Sequence, residues 1–151
     1  MALTTLTDAT AQRLWARLNA VCEQQWPALQ ARVAEHTGQG NPSMEVLRSI
    51  DSTNSELMRR ARLGQTDPTL LVAIDQTAGR GRMGKAWEST PGASLTFSLG
   101  LPLSPADWSG LSLAIGVSVA DSLSRLLNQA ATGTDRPTPT VQLKWPNDLW
   151  L

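Results

Sequence analysis

Residues 69–92 read TLLVAIDQTAGRGRMGKAWESTPG, and the parsing of this stretch decides the fold. The apolar run from Leu70 to Ile74 is a buried-type strand over residues 69–75. Directly after it, Gly79-x-Gly81-x-x-Gly84 spells a dinucleotide fingerprint, and Gly79-x-x-x-x-Gly84-Lys85-Ala86 approximates a P-loop. Both motifs require a helix to open at the glycines, so that phosphate meets its N-terminus. Here Pro91-Gly92 arrives before a crossover helix can fit, and Ala86 stands where a P-loop needs a hydroxyl. Residues 76–92 are therefore expected to be mostly loop. A Rossmann or P-loop nucleotide fold is disfavoured. The glycines suit close backbone approach, and Arg80 and Arg82 offer planar cationic forks for carboxylate or phosphate. A solvated basic loop fits the same ten residues equally well.

Working outward, residues 94–101 form an expected strand in which Leu95, Phe97 and Leu99 alternate. Residues 102–107 are a turn and helix start. A helix over 108–129 follows, with Leu111, Ile115, Val119, Leu123 and Leu126 on one stripe. Residues 130–139 are polar loop. Residues 140–145 are a strand with Val141, Leu143 and Trp145 on one face and Gln142 and Lys144 on the other. Pro146-Asn147-Asp148 is a turn, and Leu149-Trp150-Leu151 begins a returning strand. An apolar strand left unpartnered at its edge invites association, so the chain is expected to be a fragment of a longer protein. Upstream, residues 8–36 read as helical, with Asp8 or Thr10 as cap, a kink or second start at Pro27, and a stop at Gly38. Residues 37–42 are a loop and the expected boundary between an N-terminal helical arm, 1–42, and a domain over 43–151. Residues 44–50 form a strand with Met44, Val46 and Ser49-Ile50 inward. Thr53-x-x-Glu56 is a capping box for a helix that Gly64 ends. The pattern is α+β, a mixed sheet with helices packed on it.

Composition bounds the chemistry. The chain has 151 residues with 41% hydrophobic and 17% charged, the profile of a globular domain. Formal net charge is zero, so any anion chemistry must be local, and a nucleic-acid or membrane surface is not suggested. The single Cys22 can form no internal disulfide, which points to a reducing, cytoplasmic setting. The N-terminus lacks the basic and apolar regions of a secretory signal. The longest apolar stretch, 111–120, is interrupted by Ser112, Gly116 and Ser118.

Four groups carry candidate chemistry. Asp51-Ser52-Thr53-Asn54 sets hydroxyl and amide groups at a helix N-terminus, though simple capping explains it too. Gln76 ends a buried strand. The glycine-arginine loop runs from Gly79 through Arg80, Gly81, Arg82 and Gly84 to Trp87. Lys144 stands ahead of Trp145-Pro146-Asn147-Asp148. Together and in this order, from about residue 45 onward, these segments resemble the biotin protein ligases, also called biotin–[acetyl-CoA-carboxylase] ligases. The resemblance implies a biotin/lipoate ligase-like catalytic domain, incomplete at its C-terminus. It implies biotin and Mg-ATP as substrates, a biotinyl-5′-AMP intermediate, and transfer to a lysine of a biotin carboxyl carrier domain of acetyl-CoA carboxylase. By the same resemblance Ser52, Thr53, Asn54 and Gln76 meet biotin, and Gly79, Arg80, Gly81, Arg82 and Gly84 close over the adenylate. Trp87 packs on the adenylate, and Lys144 and Arg82 serve the reacting carboxylate and phosphate. No metal ligands are expected from the protein. With only about 45 residues ahead of the domain and no basic recognition helix, no DNA binding is expected. A lipoate- or octanoate-transferring ligase of the same fold, or a non-catalytic binder of biotin or its adenylate, are the alternatives.

Overall fold

The computed structural model describes residues 9–37, 42–81, 83, 85–88, 94–131, 140–144 and 148–151. They fall into two compact units, Met1–Leu103 and Ser104–Leu151.

In the first unit the core is one strand. β2, Thr69–Gln76, lies between β1, Ser43–Ile50, and β5, Thr96–Gly100, in the order β1-β2-β5. β1 and β2 run parallel, with Val46 opposite Val72 and Ile50 opposite Gln76. β2 and β5 run antiparallel, with Val72 opposite Phe97 and Leu71 opposite Ser98. The sheet is thus mixed, and its central strand carries the buried side chains Leu71, Val72, Ala73 and Ile74. Each large aliphatic among them contributes roughly 2 kcal/mol by leaving water. The parallel pair requires a crossover, and α2, Thr53–Arg62, supplies it. α2 packs on β2 and β5, and α1, Ala9–Thr37, packs on β1.

α2 is closed at both ends by local chemistry. Ser52, in extended conformation, accepts the Ser55 N–H at 3.3 Å through its hydroxyl. At the other end Gly64 takes a left-handed φ of +81°, its N–H reaching the Ala61 carbonyl while Gln65 N–H reaches that of Arg60, both at 3.0 Å. This is the double bond pattern that satisfies the last carbonyls of a helix. The cap is therefore Ser52, not Thr53. Glu56 lies one residue too late to complete a capping box and instead takes Arg59 and Arg60.

Other expectations need correction. α1 is a single helix of 29 residues with Pro27 inside it, neither ending nor restarting there. Asp8 and the expected stop at Gly38 lie outside the described residues, and Thr10 falls within the helix. Ser49 is exposed and donates to Asp75 Oδ2 at 3.0 Å rather than facing the core. The stretch after β2 is a hairpin. β3, Gly79–Arg80, pairs antiparallel with β4, Ala86–Trp87, through Gly79 opposite Trp87 and Arg80 opposite Ala86. That geometry excludes a helix opening at the glycines, as the sequence required. On β5 the alternation is real, but the apolar set Leu95, Phe97 and Leu99 is exposed at 63, 52 and 57%. The small and polar set Thr96, Ser98 and Gly100 is the half-buried one. The reason is crowding by α2, since Gly100 lies against the Leu57 side chain and Ser98 bonds Thr53.

In the second unit α3, Leu111–Ala131, begins three residues later than the sequence suggests, after Gly110 at φ +79° and an Asp107 carboxylate that accepts the Ser109 N–H. The Ser109 hydroxyl, and after it this backbone bond, hold the Asp107 carboxyl below the usual carboxylate range. α3 packs on a hairpin of β6, Gln142–Lys144, and β7, Asp148–Trp150, in which Leu143 faces Leu149 and Lys144 faces Asp148. The half-buried stripe is Gly116, Ala120, Ser124 and Leu127, while Ile115 and Leu126 of the expected stripe are 54 and 60% exposed. Gly116 is small because Leu143 lies on it, and a Cβ there would stand 2.7 Å from Leu143 Cδ1.

Candidate functional site

The parallel register of β1 and β2 delivers two sequence motifs to one end of the sheet. Ile50 and Gln76 are partners, and the pairing continues past both strands. Thr77 N–H donates to the Ile50 carbonyl at 2.9 Å, and Ala78 N–H to the Asp51 carbonyl at 2.8 Å. Asp51-Ser52-Thr53-Asn54 and Gln76 to Gly79 thus arrive side by side, at the carboxyl ends of parallel strands where α/β sheets commonly bind ligands.

Thr53 is the hinge of the site. It is 2% exposed, and its backbone N–H and hydroxyl both donate to Gln76 Oε1, at 2.9 and 3.1 Å. Its Oγ1 lies 2.8 Å from Ser98 Oγ on β5. One buried threonine therefore ties α2, β2 and β5 together. Ser52, 5% exposed, stands beside it as the helix cap.

Above this polar floor lies the hairpin. Gly79 is buried because its backbone passes close by its partner. A Cβ there would stand 3.0 Å from the Trp87 carbonyl oxygen and 3.1 Å from Gln76 Nε2. Gly81 N–H closes the turn on the Lys85 carbonyl at 2.8 Å. At the tip Met83 is 97% exposed with a left-handed φ of 57°. A cleft of about 280 Å³ is lined by Ser52, Thr53, Asn54, Gln76, Arg80 and Trp87, and by residues 94–98. Trp87 and Phe97, both more than half exposed, give it apolar walls. A larger cavity of about 520 Å³ lies by the last turns of α2 and β5. It holds the Glu45–Arg60 ion pair and shares only Asn54 and Ser98 with the cleft. None of the described residues of the glycine-arginine loop lines it, so the smaller cleft is the candidate site.

An ion-pair network braces the cleft from outside. Arg59 holds both oxygens of Asp51, at 2.8 and 2.9 Å, and also Glu56 at 2.7 Å. Arg60 bridges Glu56 and Glu45. The Arg59 guanidinium holds the Asp51 carboxyl far below the usual range, and Arg60 and then Arg59 lower Glu56. Both arginines are raised in return.

The structure brings together Ser52, Thr53, Asn54, Gln76, Gly79, Arg80, Gly81 and Trp87. Arg82 and Gly84 lie outside the described residues, as do Trp145, Pro146 and Asn147. Lys144 belongs to the second unit, on β6, with its ammonium 4.4 Å from the centre of the Trp150 ring. Sequence reasoning missed Ser98 and Arg59. Ser98 was legible only as the polar half of an alternating strand. Arg59 sits eight residues from Asp51, beyond the helix spacings that flag an ion pair. Among the described residues no cluster of His, Cys, Asp and Glu could hold a metal ion, and no helix is long and apolar enough to cross a membrane.

The chain is similar in sequence and fold to biotin ligases. Over 116 residues the chain is 37% identical to a biotin–[acetyl-CoA-carboxylase] ligase of Mycobacterium tuberculosis, covering 74% of this chain and 41% of that protein. Over 112 residues it is 43% identical to the bifunctional ligase/repressor BirA of Escherichia coli, covering 72% and 31%. The chain thus spans well under half the length of the curated relatives it matches. Among solved structures, it is similar to the Helicobacter pylori biotin acetyl coenzyme A carboxylase synthetase with bound biotinylated ATP. The TM-score is 0.55 at 31% identity, over 72% of this chain and 49% of that one. The biotin protein ligase of Aquifex aeolicus in complex with biotin and ATP gives a TM-score of 0.53 at 33% identity, over 72% and 41%. The family model of the biotin/lipoate A/B protein ligases matches residues 46–151, and the chain belongs to that family.

Proposed function

We propose that the chain is part of a biotin protein ligase. The biotin carboxylate attacks the α-phosphate of Mg-ATP, releasing pyrophosphate and giving biotinyl-5′-AMP. A lysine amine of a biotin carboxyl carrier domain then attacks the mixed anhydride, giving an amide and AMP. The observation that carries this reading is the cleft itself. It joins a fixed hydrogen-bonding floor, Ser52, Thr53, Asn54 and Gln76, to the arginine-bearing hairpin, Arg80 and Trp87. An uncharged ring needs positioned donors and acceptors, and the adenylate needs cations.

In this reading residues 1–42 are an arm and residues 43–151 begin the catalytic domain. Arg80 and Arg82 hold the carboxylate and phosphate as negative charge builds, and Trp87 packs on the adenine side. Lys144, assigned from its motif, meets the reacting carboxylate and phosphate. Magnesium arrives on the phosphates of ATP, and the cytoplasm is the setting. The Mycobacterium tuberculosis relative and the two solved structures carry biotin in their names, which favours biotin over lipoate.

The test is thermal unfolding of the chain with a non-hydrolysable biotinyl-adenylate analogue. A midpoint that rises with analogue concentration, and is unmoved by a lipoyl counterpart, supports the reading. A transition indifferent to the biotinyl analogue overturns it for this chain.

A further inference from the structure

The β6–β7 hairpin has two faces of opposite character. Leu143 and Leu149 are partners in the register and both are half-buried, and Leu143 lies on Gly116 of α3. Side chains alternate along a strand, so Gln142, Lys144, Asp148 and Trp150 share the other face, and each of them is exposed. Three of these suit water. Trp150, 58% exposed, does not. The register explains where its ring goes. Trp150 is the partner of Gln142, which places it diagonally across from Lys144. Diagonal neighbours on one face of a sheet are within reach of long side chains. The Lys144 ammonium lies 4.4 Å from the centre of the Trp150 ring. That is inside the reach of about 6 Å over which a π face attracts a cation, and indole is the best of the aromatic partners.

This contact bears on what Lys144 can do. Lysine has a flexible four-carbon stem, and fixing an exposed one on a ligand forfeits much of its rotamer freedom. An ammonium already resting on a ring has given up part of that freedom before ligand arrives, which favours binding. A π face also holds a cation without neutralising it, so the ammonium still attracts an anion. We propose that Trp150 is a positioning residue, its ring holding the Lys144 ammonium in place for the phosphate of the adenylate. This rests on the biotin ligase reading, in which Lys144 meets the carboxylate and phosphate, and adds the residue through which Lys144 is held.

Calorimetric titration with the non-hydrolysable biotinyl-adenylate analogue, and with uncharged biotinamide, tests the proposal. The proteins are wild type, Trp150→Leu, Lys144→Met and the double variant. Leucine keeps apolar bulk and removes the ring face. Trp150→Leu is expected to weaken the analogue about threefold to fivefold, the scale of an exposed cation–π contact, and to leave biotinamide unchanged. In the Lys144→Met background the same change is expected to cost nothing further, because no cation remains for the ring to hold. Trp150→Phe, which keeps a ring, recovers part of the loss. A Trp150→Leu loss that persists undiminished without Lys144, or that falls equally on biotinamide, would make Trp150 a structural residue and overturn the proposal. So would an analogue affinity in Trp150→Leu that exceeds wild type or stays within about twofold of it, below the least such a contact is worth. If Trp150→Leu does not fold, the wild-type proton spectrum decides. The Lys144 methylene protons next to the ammonium are expected upfield of their random-coil positions through the ring current of Trp150, and unshifted resonances overturn the proposal. Each of these failures, with wild type still binding the analogue, removes Trp150 alone. Wild type binding neither ligand overturns the functional reading for this chain, and the role of Trp150 with it.

Discussion

At the scale of a residue, Gln76 concentrates the logic of the site. Its carbonyl is consumed by Thr53 and its amide nitrogen is left for ligand. Gln76→Glu keeps the shape and both Thr53 bonds but replaces the donor with a second acceptor carrying charge. Stability is expected to change by less than about 1 kcal/mol, because the half-buried carboxylate keeps the two inward donors. Biotin affinity is expected to fall by tenfold or more, because an acceptor then meets the ligand carbonyl. Paired thermal melts and calorimetry separate the two quantities. An unchanged affinity would mean that Gln76 turns its nitrogen away from ligand. Much of this residue-level site was legible beforehand. Ser52, Thr53, Gln76 and the glycines announce themselves by type and order. Ser98 did not, because a serine between Phe97 and Leu99 looks like the solvent face of an ordinary strand. Only the position of α2 reverses that assignment, through Gly100 against Leu57 and Thr53 against Ser98. The α3 stripe misled in the same way, since Gly116 makes room for Leu143 by having no side chain of its own. Periodicity identifies a face, but it does not say what the neighbour needs there.

At the scale of an element, the hairpin and α2 each depend on one close approach. The β3–β4 pair leaves a Cβ at Gly79 only 3.0 Å from the Trp87 carbonyl oxygen, a backbone atom that must shift by a few tenths of an ångström and strain the pairing to admit it. Gly79→Ala is expected to cost about 1–3 kcal/mol locally, the usual range for overpacking. The Gly81 amide, which bonds to Lys85 in wild type, should then exchange its hydrogen freely. Retained protection there would show that the hairpin tolerates the methyl group. α2 is held to the ligand end of β1 by Arg59 and Asp51, side chains 47 and 44% exposed. Exposed pairs are screened by solvent, so Arg59→Ala should lower the melting midpoint only slightly at neutral pH. The pH dependence gives the sign. The folded-state values of Asp51 and Glu56 lie below their unfolded ones, so their stabilisation is complete above the ordinary carboxylate range. It drains away as pH falls through that range toward the folded values. The gap between wild type and Arg59→Ala is therefore expected to be widest near neutrality and to close on acidification. A gap independent of pH would mean that Arg59 acts through packing of its stem.

At the scale of the whole molecule, the outward face of β5 is an unfinished surface. Among the described residues β5 is an edge of its sheet, and Phe97 and Leu99 on it, with Leu95 just before it, are more than half exposed. An apolar edge strand combines unpaired backbone groups with a reason to leave water, the two requirements for adding another strand. Leu95 and Phe97 of this face also line the cleft, whereas Leu99 does not. Ser98 points to α2, while Leu99 pairs with Leu70 and lines only the cavity away from the cleft. Leu99→Lys should therefore reduce hydrophobic-dye binding and concentration-dependent association, as a lysine on an edge strand ordinarily does. Stability should change by no more than about 0.5 kcal/mol, the usual bound for a surface change, and biotin affinity should be untouched. Sedimentation at two concentrations and a parallel ligand titration read both quantities. Undiminished association would place the sticky surface elsewhere. Lost biotin affinity would mean that the outer face of β5 is coupled to the cleft through the strand backbone, so that covering this edge and forming the site are one event.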